Sequence, residues 1–157
     1  MTNHLLTPAT IFNAIYSLAA LLILIDFALP GKLVSHKIVD IQSAHQQYYN
    51  AGGNSHYSYA ITTNAHTFPV TEAFAQSVQV NQNIEYSVSS IFKEVNWYKS
   101  PSANNKSIYS LRLVSGLVLP LLAIIVFAAA FKYKKKISTL AFVFQVLVIA
   151  DLIFLLV

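Results

Sequence analysis

Three long apolar segments constrain this chain more than any other feature of its sequence. They cover residues 8–29, 107–131 and 137–157. At a rise of about 1.5 Å per residue, each is long enough to cross a hydrocarbon core of about 30 Å as a helix. Only 10% of the residues are charged, against about 25% in soluble domains. The sequence therefore predicts a membrane α+β protein with three transmembrane helices.

The first segment has two interpretations, an uncleaved membrane anchor or a cleaved signal peptide. Thr7 and Pro8 are typical of a helix start, and Pro30-Gly31 of a helix end. A signal peptide has an apolar region of about 7–15 residues that follows positive charge. Here the apolar run is longer and no Lys or Arg precedes it. We favour the anchor.

The turn between the second and third segments, residues 132–136, predicts the orientation. Its four lysines are Lys132, Lys134, Lys135 and Lys136. Short loops rich in lysine stay in the cytoplasm, whereas the rule weakens for loops longer than about 60 residues. The five lysines between the first and second apolar segments therefore count for less. We expect a bacterial inner-membrane protein with its amino terminus in the cytoplasm and its carboxyl terminus in the periplasm.

The polar region, residues 32–100, changes from helical to two-residue periodicity. In Ser55–Thr63 the residues alternate between two faces, and Asn64-Ala65 is a predicted hairpin turn. Residues 71–74 are predicted to form one helical turn. The strand candidates are 34–41, 55–63, 66–70, 78–80 and 84–88. About five short strands predict a small extracytoplasmic β-domain, barrel-like or a bent sheet, between helices 1 and 2.

Aromatic residues of the polar region predict two further features. Trp97, Tyr98 and Tyr109 precede the second helix and are expected in an aromatic belt at the membrane surface. Tyr48 and Tyr49 lie on a loop rich in Gly and Asn. Because tyrosine suits protein, carbohydrate and lipid surfaces, this loop is a predicted contact loop.

The order of these segments resembles a known kind of membrane protein. After an anchor helix come residues 57–62 (YSYAIT), 66–70 (HTFPV) and 84–92 (IEYSVSSIF), followed by another apolar helix. This pattern resembles bacterial membrane proteins of the uncharacterised DUF3592 type, which insert a small β-domain between helices. The resemblance covers about 60 residues, implies the fold and transfers no functional residues.

Three ionisable residues interrupt the apolar segments: Asp26, Arg112 and Asp151. Charges within membrane segments are costly and often functional. Counted by helix rise, all three fall in the outer part of the bilayer, so we predict an intramembrane charge cluster. We favour a structural tie between the helices. A proton or ion pathway and a contact with a partner are the alternatives.

Four further residues of the apolar segments predict helix packing. Asn13, Ser17 and Ala20 share one face of the first helix, a surface of polar and small residues suited to close packing. Gln145 lies near the middle of the third.

The remaining chemistry is mostly excluded. The chain has no cysteine, which rules out thiolate chemistry and Cys-based metal sites. Its five histidines show no metal-ligand spacing, although His56 and His66 are candidates to meet across the predicted hairpin. No G-x-S-x-G is present, and the modest charge of +4 is no nucleic-acid footprint.

These observations predict a non-enzymatic protein without cofactor or metal. Its expected partners are membrane lipids and a larger membrane protein, and not nucleic acid. We expect an accessory or scaffolding subunit of a bacterial inner-membrane complex. The alternative is a membrane-anchored binding or sensor module for a lipid or envelope ligand.

Overall fold

The chain divides into two compact units. The computed structural model describes residues 7–47, 55–100 and 105–156. Met1–Leu29 and Leu113–Val157 form one unit, the helical unit, and Pro30–Arg112 form the other, the β unit. The predicted contact residues Tyr48 and Tyr49 lie outside the described residues.

Three helices in the described part of the chain are long and apolar enough to cross a membrane. They are α1 (Pro8–Ala28), α3 (Ser110–Tyr133) and α4 (Ser138–Leu156). At the start of α1 the Thr7 side chain accepts a hydrogen bond from the backbone N–H of Thr10, and Pro8 occupies the first turn. The helix ends before Pro30, as the sequence predicts.

Helix α3 contains an irregular segment. Val114–Val118 adopt π-helical geometry, in which the Leu119 backbone N–H bonds the Val114 carbonyl. Pro120 follows directly and has no N–H to give to the helix ladder. A Cβ atom at Gly116 would collide with the Phe27 ring of α1. This glycine therefore permits close approach of the two helices.

A short 3-10 turn, Lys134–Ile137, connects α3 to α4. Lys132 and Lys136 are exposed, and the Lys132 ammonium lies 5.5 Å from the ring centre of Tyr133. The backbones of Lys134 and Lys135 form the turn itself. The lysine-rich turn between two apolar helices is thus present as the sequence indicates.

The β unit contains an antiparallel sheet of five strands within the described residues. They are β1 (Lys32–Gln47), β2 (Ser55–Thr63), β3 (Thr67–Val70), β4 (Asn83–Val88) and β5 (Val95–Lys99). Their order is β3-β2-β1-β4-β5, and helix α2 (Glu72–Ser77) connects β3 to β4. The first part of β1 pairs with β4 and the second with β2, with a register shift between Ile38 and Asp40. Such a shift bends a strand.

The sheet curls, so that strands far apart in its order share one core. Phe68 of β3 lies 5.0 Å from Tyr86 of β4 and 5.9 Å from Tyr98 of β5, measured between ring centres. Ile38 and Ile61 are fully buried beside them. The predicted bent sheet of five strands is therefore present.

One strand differs from the prediction. Residues 78–80 form no strand, because Val78 ends α2 and is buried against the core. The fifth strand is Val95–Lys99 instead. Tyr98, expected in a membrane-surface belt, is 1% exposed in the core of the β unit. Its hydroxyl accepts a hydrogen bond from the Thr71 backbone N–H at 2.9 Å, at the start of α2.

Candidate functional site

The β unit contains a pocket whose lining includes two lysines, two histidines and two serines. Its volume is about 450 Å³, within the range of small-molecule sites. Three parts of the β unit form it: the first half of β1, the turn between β2 and β3, and the segment that follows β4. The lining residues are Lys32, Val34, His36, Ala65, His66, Val88, Ser89, Ser90 and Lys93.

Strand geometry places the β1 residues of this pocket. Side chains alternate between the two faces of a strand, so that Lys32, Val34 and His36 lie on one face. In the antiparallel register Val34 lies opposite Tyr86 and Lys32 opposite Val88. The opposite face of β1 carries Lys37, which is exposed and not part of the pocket.

One buried hydroxyl connects both histidines of the pocket. Tyr86 is fully buried, and its hydroxyl oxygen lies 2.8 Å from Nδ1 of His36 and 3.0 Å from Nδ1 of His66. The Thr63 hydroxyl lies 3.1 Å from the same oxygen. We call these four residues the Tyr86 network; they come from β1, β2, β4 and the β2–β3 turn.

The tight turn after β2 holds His66 in this position. The Thr63 hydroxyl donates to the His66 carbonyl at 2.9 Å and accepts from the His66 backbone N–H at 3.0 Å. The Thr63 backbone N–H also donates to the His66 carbonyl, at 2.8 Å. Such hydroxyl-closed turns are a common role of threonine.

The Tyr86 hydroxyl is the common partner of the other three residues of the Tyr86 network. The Thr63 oxygen also accepts from the backbone N–H groups of Ala65 and His66, at 3.3 and 3.0 Å. Because a hydroxyl accepts about two hydrogen bonds, these two bonds fill the acceptor capacity of Thr63. The Tyr86 oxygen contacts both rings at Nδ1, so Nε2 of each ring takes no part in these bonds.

Burial and neighbouring charge shift the pKa values of this network. Desolvation lowers the pKa of His66, and the nearby groups His36 and Lys32 lower it further. Desolvation also raises the pKa of Tyr86, against the smaller opposing effect of its hydrogen bond to Thr63. At neutral pH, His66 is therefore neutral and Tyr86 keeps its proton.

The segment after β4 adds a lysine in an unusual conformation. Lys93 has φ = 63°, in the left-handed region, which costs a non-glycine residue about 1–2 kcal/mol. Its ammonium donates to the Ser90 carbonyl at 2.7 Å. The Ser89 hydroxyl accepts a hydrogen bond from the Glu94 backbone N–H at 3.1 Å, which joins the two ends of this segment. Backbone strain of this kind is concentrated at functional sites.

The histidines do not assemble a metal centre in the part of the chain that the structure describes, where no three His, Asp or Glu residues come together. The expected approach of His56 and His66 is wrong. His56 pairs with Gln46 near the start of β2, whereas His66 lies in the turn beyond its end. The partner of His66 is Tyr86, through which it is linked to His36.

The three predicted charge-cluster residues are all buried, but they belong to different units. Asp26 and Asp151, 2% and 7% exposed, lie in the helical unit. Arg112, 4% exposed, belongs to the β unit. Its Nε and Nη2 donate to Oδ1 of Asn96 at 3.0 and 2.8 Å. The convergence of the three charges stays a prediction.

Three of the four predicted packing residues, Asn13, Ala20 and Gln145, contact another helix of the helical unit. The Gln145 side-chain amide donates to Oδ1 of Asn13 at 2.8 Å, which joins α4 to α1. The Ser17 hydroxyl donates to the Asn13 carbonyl at 2.7 Å within α1. Ala20 is fully buried beside Phe127 and other residues of α3.

Sequence reasoning missed the Tyr86 network and the bond between Arg112 and Asn96. Within β1 and β4, two-residue alternation does place Val34, His36 and Tyr86 on inward faces. The register between these strands, and the position of the Thr63–His66 turn above them, follow only from the curl of the sheet. Asn96 was missed because Val95–Lys99 was not predicted as a strand.

Known proteins offer no further guidance on this site. Comparisons with protein families, with curated proteins and with solved structures find no match to this chain. The DUF3592-type resemblance therefore stays a resemblance of pattern.

Proposed function

We propose that this chain is a membrane-anchored binding module whose β unit takes a small polar ligand in the pocket. The observation that carries the proposal is the Tyr86 network, which fixes His36 and His66 beside Lys32 at a cavity of about 450 Å³. Polar groups that are fixed before a ligand arrives bind it with a smaller loss of entropy.

The proposal includes a location. Helices α1, α3 and α4 would span a bacterial inner membrane, since each has the required length and hydropathy. The turn with Lys132 and Lys136 would stay in the cytoplasm, in accord with the positive-inside rule. The β unit and the carboxyl terminus would then face the periplasm, where the pocket meets envelope ligands.

We propose binding rather than catalysis because of how the pocket uses its polar groups. Both histidines bond through Nδ1 to a hydroxyl that is itself bonded to Thr63, so this hydroxyl serves as an anchor for the rings. General-base activation of a nucleophile requires instead a base free to take its proton. The Ser89 hydroxyl already accepts a hydrogen bond from the Glu94 backbone N–H.

A ligand screen by thermal unfolding tests the proposal. The full chain in nanodiscs is heated with small polar compounds of the envelope, and a ligand at one hundred times its Kd should stabilise the folded state by about 2.7 kcal/mol. Ala65→Trp adds bulk at the pocket wall and should abolish the shift. Asn64→Trp, next to it but outside the lining, is the matched control. Equal shifts in both variants would contradict binding in this pocket.

A second candidate, the accessory subunit, is favoured by apolar residues exposed on the β unit. On the outward face of β1, Leu33 and Val39 are 60% and 50% exposed, and Tyr57 of β2 is 56% exposed. Leu33 and Val39 lie six residues apart on β1 and Tyr57 lies opposite His45, so these are separate positions at which a partner protein would find an apolar side chain. Co-purification from native membranes should recover a partner, and Leu33→Gln with Val39→Gln should release it. A protein that remains monomeric after gentle cross-linking in its native membrane would count against this candidate.

A further inference from the structure

We propose that the pocket binds a phosphate-type oxyanion, and that binding tightens as the pH falls and His66 takes up a proton. This inference rests on the proposed binding function and names its ligand class. It also adds regulation by pH, because anion binding would tighten when the surrounding medium becomes more acidic.

The charge of the lining carries the ligand class. Lys32 and Lys93 contribute ammonium groups to the lining, and His36 and His66 contribute imidazole rings. None of the residues that line the described pocket is acidic. The acid nearest along β4, Glu85, alternates to the opposite face and forms a salt bridge with Lys99 at 2.7 Å. Anionic oxygen atoms are the groups that match such a lining.

The Tyr86 network holds the His66 ring at the pocket. The ring bonds the Tyr86 hydroxyl through Nδ1 at 3.0 Å, and Nε2 is the second nitrogen of the ring that can carry a proton. Protonation of His66 adds a cationic group beside Lys32 and Lys93. The pocket thus becomes a stronger anion site.

Among the described residues, the charged and titratable groups placed around His66 do not favour its protonation when the pocket is free. Lys32 and His36 face it from β1, Tyr86 from β4, and Lys93 from the segment after β4. Burial and this positive surrounding lower the pKa of His66. A bound anion reverses the sign of the local field, so anion binding and proton uptake must strengthen each other.

Lys93 supplies an independent reason to regard this wall of the pocket as functional. Its left-handed backbone is strained for a lysine, whereas glycine adopts the same φ freely. A lysine here costs stability and adds a cation at the pocket. Lys93→Gly is therefore expected to fold at least as stably as the parent chain while it binds the anion more weakly.

Calorimetry on the full chain tests the inference. The protein is placed in phosphatidylcholine nanodiscs and titrated with sulfate, which keeps the same charge over the range used. We expect affinity to be about fivefold or more higher at about pH 5.5 than at about pH 7.5. Titration in buffers of different ionisation enthalpy should show uptake of protons on binding. Sulfate binding that does not change with pH would overturn the inference.

Matched variants assign the effect to residues. His66→Asn retains an N–H in the position of Nδ1 but cannot be protonated, and should flatten the pH dependence. Lys32→Gln should weaken binding at both pH values. Lys37→Gln, the same change on the opposite face of β1, should leave binding unchanged. Lys93→Gly provides a variant whose fold is not at risk. If it binds sulfate as tightly as the parent chain, the assigned site is wrong.

A second lipid composition distinguishes the two sources of the oxyanion, a lipid headgroup and a soluble phosphate compound. In nanodiscs that contain phosphatidylglycerol, loss of sulfate binding in the parent chain identifies a lipid headgroup as the occupant. Retained binding identifies a soluble phosphate compound. If a neutral compound from the ligand screen stabilises the protein while sulfate does not bind, the inference fails and the binding function stands. If neither binds, both fail.

Discussion

The two units place their large apolar residues in opposite ways. In the helical unit, Leu18 and Phe142 are 67% and 63% exposed, whereas in the β unit Ile61 and Ile84 are fully buried. Of the 18 most apolar consecutive residues in each long helix, only 22–33% are buried within the chain itself. The β unit thus folds against water in the usual way. The helical unit has the surface expected of a protein that lipid surrounds.

The two units also treat buried polar groups differently. In the helical unit, Asn13 and Gln145 form a single hydrogen bond between two helices. In the β unit, one hydroxyl collects partners from three other residues of the Tyr86 network. The bond in the helical unit joins one side chain from each of two helices, whereas the curled sheet brings polar side chains from three other elements to one hydroxyl.

The largest expected change in the free energy of unfolding comes from replacing one buried phenylalanine in each unit by alanine. Phe68→Ala removes a ring from the core of the β unit and should cost about 3–5 kcal/mol of its free energy of unfolding. Phe127→Ala, also at a fully buried ring, should cost clearly less. The unfolded helices remain in lipid, so the transfer contribution vanishes and only packing is lost. Fluorescence of Trp97 in urea measures the β unit.

Unfolding of the helices by a denaturing detergent, followed by circular dichroism, measures the helical unit. Equal losses for Phe68→Ala and Phe127→Ala would mean that the helices also fold against water. That result would remove the membrane part of the proposed function and leave the pocket untouched.

The same contrast explains what the sequence could predict. Long apolar runs, Pro8 and Pro30 are local signals, so the bounds of the three helices differ from prediction by only a few residues. Ser55–Thr63 was likewise predicted with its correct bounds, because its alternation is regular. The Tyr86 network has no local signal. Its members lie on separate elements, and their proximity depends on the register shift near Ile38 and the curl that it introduces.

Tyr86→Phe comes next in size. It keeps the ring against Phe68 but removes the hydroxyl that two histidines and Thr63 share. Polar groups left without their partner in a partly buried site cost about 1–3 kcal/mol. Urea unfolding followed by Trp97 fluorescence gives the value. Tyr57→Phe removes a hydroxyl from an exposed ring and should have almost no effect. Similar losses in both variants would contradict a structural role for the network.

A smaller effect is expected from the hydrogen bond between Asn13 and Gln145. Hydrogen bonds between membrane helices contribute about 0.6 kcal/mol on average, and about 1.7 kcal/mol at most. A double-mutant cycle with Asn13→Leu and Gln145→Leu should give a coupling energy in that range. A coupling energy larger than the loss of unfolding free energy in Tyr86→Phe would mean that the helical unit has the stronger polar contact, which would reverse the comparison between the two units.

The smallest expected effect is a pH dependence confined to the β unit. Because burial, His36 and Lys32 lower the pKa of His66 in the folded protein, the unfolded chain binds a proton more tightly below about pH 6.5, the ordinary pKa of histidine. Stability should therefore be highest above this pH and fall as the pH is lowered through it. Urea unfolding in buffer without sulfate or phosphate, at about pH 7.5 and about pH 5.5, measures the loss. His66→Asn cannot take up the proton, so its loss should be smaller. An equal loss in the parent chain and in His66→Asn would show that other groups control the acid response of the β unit.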